Sequence, residues 1–388
     1  MRQIAACLHK GVNIALLLSL STLATAQTTY TLMELPTLGG TVGAADSIND
    51  KGWIAGYANL TGDRTEHAVL WINGAVTDLG TLWGPNSAVG FPAKNSQGTL
   101  VGFSQTAAND PLREGWNYFC GPSGTKPLCQ GKNLITRGFT WQNGEMIALP
   151  TFGGNISEAF GINNSGQVIG VAETGNTDPS CVRPQVLDYL AVIWNPNGTM
   201  RALSPFPGDQ ISGAVGINNN GQVVGASGPC APLSPAIGAH AVLWQNGSTS
   251  ATDLGNLGGS TNNVAFGING EGQIVGISAL SGNATVHAFF WQNGGPMQDL
   301  GTLPGDVLSI AYSLNDAGEI VGQSCDANGN CRACLWRNGS PTDLNALVPP
   351  GSAAHLVVAF DVNNQGQIVG QAYDQITNKT IGFVATPD

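Results

Sequence analysis

One phrase recurs seven times along this 388-residue chain and restricts its fold more than any other feature. An apolar residue and Asn lead into a turn with Gly, followed by an apolar pair and a second Gly. It reads INDKGWIAG from Ile48, KNSQGTLVG from Lys94, INNSGQVIG from Ile162 and INNNGQVVG from Ile217. It returns as INGEGQIVG from Ile268, LNDAGEIVG from Leu314 and VNNQGQIVG from Val362. The shared Asn residues are Asn49, Asn95, Asn163, Asn218, Asn269, Asn315 and Asn363. Their spacing averages about fifty residues, the period of a repeat built from one small supersecondary unit.

A second phrase follows the first. HAVLW ends at Trp71, GFTW at Trp141, AVIW at Trp194, AVLW at Trp244, AFFW at Trp291 and ACLW at Trp336. Each Trp precedes an Asn-Gly pair such as Asn73-Gly74 or Asn143-Gly144, then a short strand ending like Asp78-Leu79. Asn-Gly between apolar runs is a strong hairpin signal, because both turn residues need positive φ. Each repeat therefore predicts four short strands in two hairpins. Four-stranded sheets repeated around a ring make an all-β, seven-bladed β-propeller of antiparallel blades. The seventh copy stops at its third strand, near Val384. Residues 28–38, including Tyr30 to Leu38, match the missing fourth strand. The N-terminal strand is thus expected to complete the last blade and close the ring without a free edge. A low charged fraction, 10% against roughly 25% in average domains, and 54 Gly fit short strands and tight turns.

Residues 1–26 read as a secretory leader: Arg2, His9 and Lys10 precede an apolar run from Val12 to Leu23, and Ala24-Thr25-Ala26 offers a cleavage site. Residues 27–388 then form a single domain. The full chain carries a formal charge of −11, and loss of Arg2 and Lys10 makes the mature protein more negative still. Such a surface repels nucleic acid and anionic lipid. No later segment suggests membrane insertion, and a monomer is expected.

The HAFFW-type strand, the INNxGQIVG hairpin and the DLGTLGG link resemble the HAF extracellular repeat family of bacterial secreted proteins. The resemblance covers nearly all of residues 27–388 and implies a scaffold without assigning it an activity. Some relatives carry a C-terminal sorting anchor. The sequence ends at Asp388 without one, so a freely secreted or periplasmic protein is implied.

In antiparallel blades, the first-to-second and third-to-fourth turns share one face of the ring. The second-to-third loops and the inter-blade links share the other. The first class is short and uniform here. The second varies, with insertions at about 104–136 in blade two, from Ala172 to Tyr189 in blade three, and from Ala226 to Ala239 in blade four. Irregular loops on a rigid scaffold are where function concentrates. The variable face is therefore expected to recognise a glycan or a protein, through Arg113, Trp116, Tyr118, Arg137, Arg183, Tyr189 and His355. The alternative is a glycoside hydrolase or polysaccharide lyase at the channel mouth. Hydrolysis needs two carboxylates about 5–5.5 Å apart for retention or 6.5–9.5 Å for inversion, drawn from Glu114, Asp178, Asp188, Asp209 and Asp306. A lyase would use Tyr118, Tyr189, His355 or Arg137. No nucleophile elbow, HExxH helix or phosphate-binding loop is present, and no cofactor is expected.

Other polar residues read as structural. His67 with Asp78, His240 with Asp253, His287 with Asp299 and Arg332 with Asp343 lie diagonally across their hairpins. Blade three lacks both partners, having Leu190 and Ala202. Arg137 faces Ala148 and is left for a ligand. The repeated Trp residues pack blade against blade. Among the cysteines, Cys120 with Cys129, Cys181 with Cys230 and Cys325 with Cys331 are the proposed disulfides of an oxidising compartment, leaving Cys334 as a buried thiol. Asp326, Asn328 and Asn330 offer a weak Ca²⁺ run that fails the EF-hand pattern and reads better as a turn.

Overall fold

The computed structural model describes residues 28–92, 95–114, 133–231 and 238–388, and the leader lies outside them. Among the described residues, five four-stranded antiparallel sheets cover residues 83–148, 153–203, 211–253, 264–299 and 308–343. These are repeats two to six. One eight-stranded sheet holds repeats one and seven, joined by a single parallel pair, Val42 with Thr380. The strand Tyr30–Leu35 runs antiparallel to Lys379–Pro387, from Tyr30 opposite Pro387 to Leu35 opposite Gly382. The N-terminal strand thus supplies the fourth strand of repeat seven. Its Tyr30 is fully buried, and the hydroxyl accepts a 2.7 Å hydrogen bond from Arg337, itself paired with Glu319 at 2.7 Å.

The repeated phrase explains its own geometry. The shared Asn carries both a donor and an acceptor, and six of the seven use the donor to reach the equivalent residue of another repeat. Asn163 Oδ1 accepts the N–H groups of Ser165 (3.1 Å) and Gln167 (3.0 Å), shaping the turn. Its Nδ2 donates to the carbonyl of Asn218, the equivalent residue one repeat on, at 3.3 Å. The relay continues from Asn218 to Asn269, Asn269 to Asn315 and Asn315 to Asn363. It then returns from Asn363 to Asn49 and from Asn49 to Asn95. Between repeats two and three, Ser96 N donates to Asn164 Oδ1 at 2.8 Å.

Just before this Asn, six of the first strands slip register. The slips at Ala45/Ser47, Ala159/Gly161, Ala214/Gly216, Ala265/Gly267, Ala311/Ser313 and Ala359/Asp361 are β-bulges. A bulge re-aims its extra side chain, here Asp46, Phe160, Val215, Phe266, Tyr312 and Phe360. Aromatic members meet their neighbours: Phe266 lies 5.5 Å from Tyr312, Tyr312 lies 5.2 Å from Phe360, and Phe91 of repeat two lies 4.8 Å from Phe160. The second Gly of the phrase is where the facing backbone comes close. A Cβ on Gly170 would stand 2.0 Å from Glu158 O, and one on Gly322 would stand 1.8 Å from Ile310 O.

Four indole nitrogens tie their sheets to the incoming link. Trp71 donates to Pro36 O, Trp194 to Pro150 O, Trp244 to Ser204 O and Trp336 to Leu300 O, all at 2.9–3.0 Å. The packing role expected for these residues is therefore accompanied by a buried polar tether. The serines of the first strands, which carry no motif of their own, do similar work. Ser157 and Ser309 each accept an N–H from the preceding sheet and donate to a link carbonyl.

Removing one relay side chain leaves several buried polar groups without partners. Asn218→Ala is expected to cost about 3 kcal/mol, at the upper end for an unsatisfied buried group because more than one is orphaned. Urea unfolding with the slope unchanged measures it. Asp46 is the one acid in the bulge belt. Its Oδ2 is buried without a partner, and burial, then Glu66, holds its pKa well above the usual carboxylate range. Asp46→Leu is expected to stabilise by about 1–2 kcal/mol, read in the same experiment.

Candidate functional site

The three long second-to-third loops are expected to be irregular, yet in repeats two and three the strands run into them. The strands Leu100–Asn109, Val168–Thr177 and Leu187–Trp194 extend past the predicted ends because pairing resumes beyond a register shift. Tyr189 consequently lies in a strand, 1% exposed, with its hydroxyl donating to Ala231 O at 3.0 Å. It belongs to the core, where a ligand does not reach it.

What remains of the loops is fastened together. Glu114, from the loop of repeat two, accepts the N–H groups of Val186 (3.0 Å) and Leu187 (2.6 Å) in the loop of repeat three. The Cys181–Cys230 disulfide joins the loops of repeats three and four, and Val182 N donates to Cys230 O at 2.8 Å alongside it. Gln210 adds hydrogen bonds to Ser180 and, through its carbonyl, to Cys230 N. Both this disulfide and Cys325–Cys331 are formed, and Cys334 is free and buried. Trp116, Tyr118, Cys120 and Cys129 lie outside the described residues.

Beneath these braces sits a group of acids of which only Glu114 is marked by the sequence pattern. Gln185 Nε2 donates to Leu187 O at 2.7 Å and stands 3.3 Å from Glu114 Oε1 and 3.5 Å from Glu173 Oε1. Glu173 Oε2 accepts N–H groups of Asn155 and Ile156, both at 2.9 Å. Burial pushes Glu173 up to about 8, helped by the charge of Glu114. Glu158 is also pushed up to about 8, by burial and then by Glu173. Glu114 is raised by burial, although the Leu187 and Val186 amides oppose this, and its Oε2 is buried without a partner. Half-buried Arg137 faces the charge of Glu173. Comparing repeats would have exposed Glu158, since Ala44, Gly213, Val264, Ile310 and Val358 stand at the equivalent position.

The remaining candidate carboxylates are engaged locally. Asp209 accepts from Ser227 Oγ at 2.6 Å and pairs with His240 Nδ1 at 2.9 Å. This corrects the expected pairing of His240 with Asp253. Phe206 stacks against the imidazole at 4.6 Å, and the incoming link presents Asp209 first. The expected pairs His67–Asp78, His287–Asp299 and Arg332–Asp343 are present at 2.9, 3.0 and 3.1 Å. Arg332 also holds Asp306 at 2.9 Å, so Asp306 serves the same link-to-strand tie as Asp209. Asp178 closes a turn by accepting from Ser180, which keeps its carboxyl low. Asp188 is half-buried beside Cys181 and raised by burial. Asp326 accepts from Asn328 and Asn330 in an ordinary turn. Arg113 and Arg183 are exposed, and His355 is half-buried opposite Tyr373.

One exposed residue on this face was not among the expected binding residues. Trp83 is 89% exposed and has φ +73°. A left-handed backbone is costly for a bulky side chain, by about 1–2 kcal/mol, and the same place in other links holds Gly39, Gly153 and Gly258. On the opposite, uniform face, the Asn turns line an open cavity of about 190 Å³, with Ile217, Phe266 and Leu314 also in its wall.

No family model and no curated protein matches this chain. Solved structures similar to it include the β-propeller domain of the Trilobed protease from Pyrococcus furiosus, at 10% identity and TM-score 0.47, covering 78% of this chain and 83% of that one. A second is Pyrococcus horikoshii acylaminoacyl peptidase, at 12% and 0.46, covering 85% of this chain and 50% of the peptidase, so this chain spans about half of that relative. A third is the PQQ-bound aldose sugar dehydrogenase of Streptomyces coelicolor, at 11% and 0.41, covering 92% and 98%.

The acid group makes a signed prediction. A carboxyl whose folded pKa lies above its unfolded value of about 4.5 binds its proton more tightly in the folded state. Its contribution is full below that value and is lost as pH rises through about 8. Thermal midpoints should therefore fall between pH 5 and pH 8.5, and Glu158→Gln should flatten that slope. An unchanged slope in the variant would place the titration elsewhere.

Proposed function

We propose that the chain is a seven-bladed propeller of the HAF repeat type, closed by its N-terminal strand and exported to an oxidising compartment. It serves there as a binding module for a glycan or a protein through the variable-loop face. The seven repeats, the pairing of Tyr30–Leu35 with Lys379–Pro387 and the return of the Asn relay from Asn363 to Asn49 support the closed ring. The two disulfides fit a non-cytoplasmic protein, and no helix among the described residues is long and apolar enough to cross a membrane.

The observation that carries the binding reading is the bracing of three neighbouring loops by Glu114 and by Cys181–Cys230. Loops fixed to one another lose little entropy when a partner arrives, which is what a recognition surface needs. The raised carboxyls of Glu114 and Glu173 are the feature an acid-catalysed glycosidase would share. Both residues are fully buried and committed to backbone N–H groups, so the binding reading is preferred.

Incubating residues 27–388 with insoluble and soluble polysaccharides, while scoring retention and released products separately, tests this reading. Retention without products is expected. Product release would replace it with the enzymatic reading and direct substitutions to Glu114 and Glu173. The paired change Cys181→Ala with Cys230→Ala is expected to weaken retention about tenfold, corresponding to roughly 1.4 kcal/mol of lost preorganisation.

A further inference from the structure

We propose that Trp83 is the stacking platform on which this face holds a pyranose ring of a glycan. The inference rests on the binding reading above and narrows its partner to carbohydrate.

Three links share one construction, and a fourth places its glycine similarly. Thr37, Thr81 and Thr151 each donate a hydroxyl to the carbonyl three residues on, at 2.8, 2.8 and 2.7 Å. The apolar residue after each Thr (Leu38, Leu82, Phe152) forms an isolated bridge to the second strand of its repeat. The fourth link has Leu257 followed by Gly258, with Gly258 making the bridge, to Leu280. The next residue in each Thr link, and Gly258 in the fourth, has positive φ: +98° at Gly39, +73° at Trp83, +116° at Gly153 and +108° at Gly258. Three of the four are the residue this conformation favours, and the other is the largest side chain available.

The neighbours have changed to admit it. A Cβ on Gly39 would stand 2.5 Å from Thr61 Oγ1, and one on Gly258 would stand 2.5 Å from Ser281 Oγ. The residue in the place of Thr61 and Ser281 is Ala107, which follows Thr106, the strand partner of Trp83. Alanine has no hydroxyl to obstruct the new Cβ. The substitution is accommodated, yet the indole gains no packing from it, remaining 89% exposed. Neither folding nor burial accounts for a strained, solvent-facing Trp. Strain kept at an exposed aromatic points to a ligand.

The surroundings favour a sugar. A protein partner would want an aromatic anchor set in an apolar patch. Trp83 is flanked instead by Gly84, Pro85 and Thr106, and the strand beyond Thr106 runs through Asn109 towards the exposed Arg113. A single exposed indole beside small residues, with the hydroxyl of Thr106 paired opposite it, offers a flat face to the C–H side of a pyranose and a hydrogen-bonding group for its hydroxyls. Stacking on a nucleic-acid base is opposed by the net charge of −11.

The test compares wild-type protein with Trp83→Gly and Trp83→Phe on a panel of xylan, mannan, β-glucan, arabinan, chitin and pectin, using affinity electrophoresis and the shift of Trp fluorescence. For whichever polymer the wild type retains, Trp83→Gly is expected to weaken binding at least tenfold, while its thermal midpoint stays equal or rises. Trp83→Phe should keep most of the affinity. Equal retention by Trp83→Gly and wild type would overturn this inference and leave the binding reading standing. Failure of the wild type to bind any polymer on the panel, with capture of a protein instead, would overturn the carbohydrate assignment itself.

Discussion

The amide of one repeated asparagine holds the architecture together. Its oxygen organises the turn that starts each second strand, and in six of the seven repeats its nitrogen reaches the equivalent residue of the next one. A local turn and a contact between neighbouring sheets are therefore the same side chain. A Ser or Thr hydroxyl would have to donate and accept through one oxygen, whereas the Asn amide separates its acceptor from its donor and can serve the turn and the next repeat at once; the position is Asn in all seven copies. The bulge preceding it follows from the same demand. The extra residue re-aims a side chain that is aromatic in four of the six bulged strands, and the facing backbone comes so close that glycine is needed at positions such as Gly170.

Where the chain ends meet, the relay is reinforced. Asp361 accepts Ile48 N at 2.9 Å through one oxygen and Ser313 Oγ at 2.6 Å through the other. It thereby touches repeats six and one from repeat seven. Tyr30, Arg337 and Glu319 do the same for the N-terminal strand. Asp361 and Tyr30, the buried members, both have partners, and a satisfied polar network helps fix one arrangement. On the other face the same economy of charge is relaxed: Glu114, Glu158 and Glu173 lie together with raised pKa values, and Trp83 stands in solvent. The uniform face carries the relay from repeat to repeat, and the variable face retains features that the relay does not require.

Much of the fold could be read from the sequence because its signals are local. The Asn-Gly pairs placed the hairpins, and the match of residues 28–38 to other fourth strands anticipated the pairing of Tyr30–Leu35 with repeat seven. Cysteine spacing anticipated Cys181–Cys230 and Cys325–Cys331. The features that escaped depend on contacts between segments distant in sequence. Asp209 reaches His240 from a link 31 residues away, which a count across one hairpin does not detect. Glu173 carries no motif, and its place beside Glu114 follows from how two loops fold over each other. Tyr189 looked like a loop residue because pairing resumes after an irregularity that leaves no mark in the sequence. Trp83 was legible in principle, as a bulky residue at a link position where Gly39, Gly153 and Gly258 stand in other repeats.

Native-state amide hydrogen exchange across the joint between the two chain ends tests the central claim, that the repeats close into one ring. If the ring is closed, the amides of Ile48 and of Tyr30–Leu35 exchange only by global unfolding, with the same free energy as the slowest amides of Val168–Thr177. If those joint amides exchange several kcal/mol more easily, the repeats form an open arc with a free seam, which contradicts a closed ring.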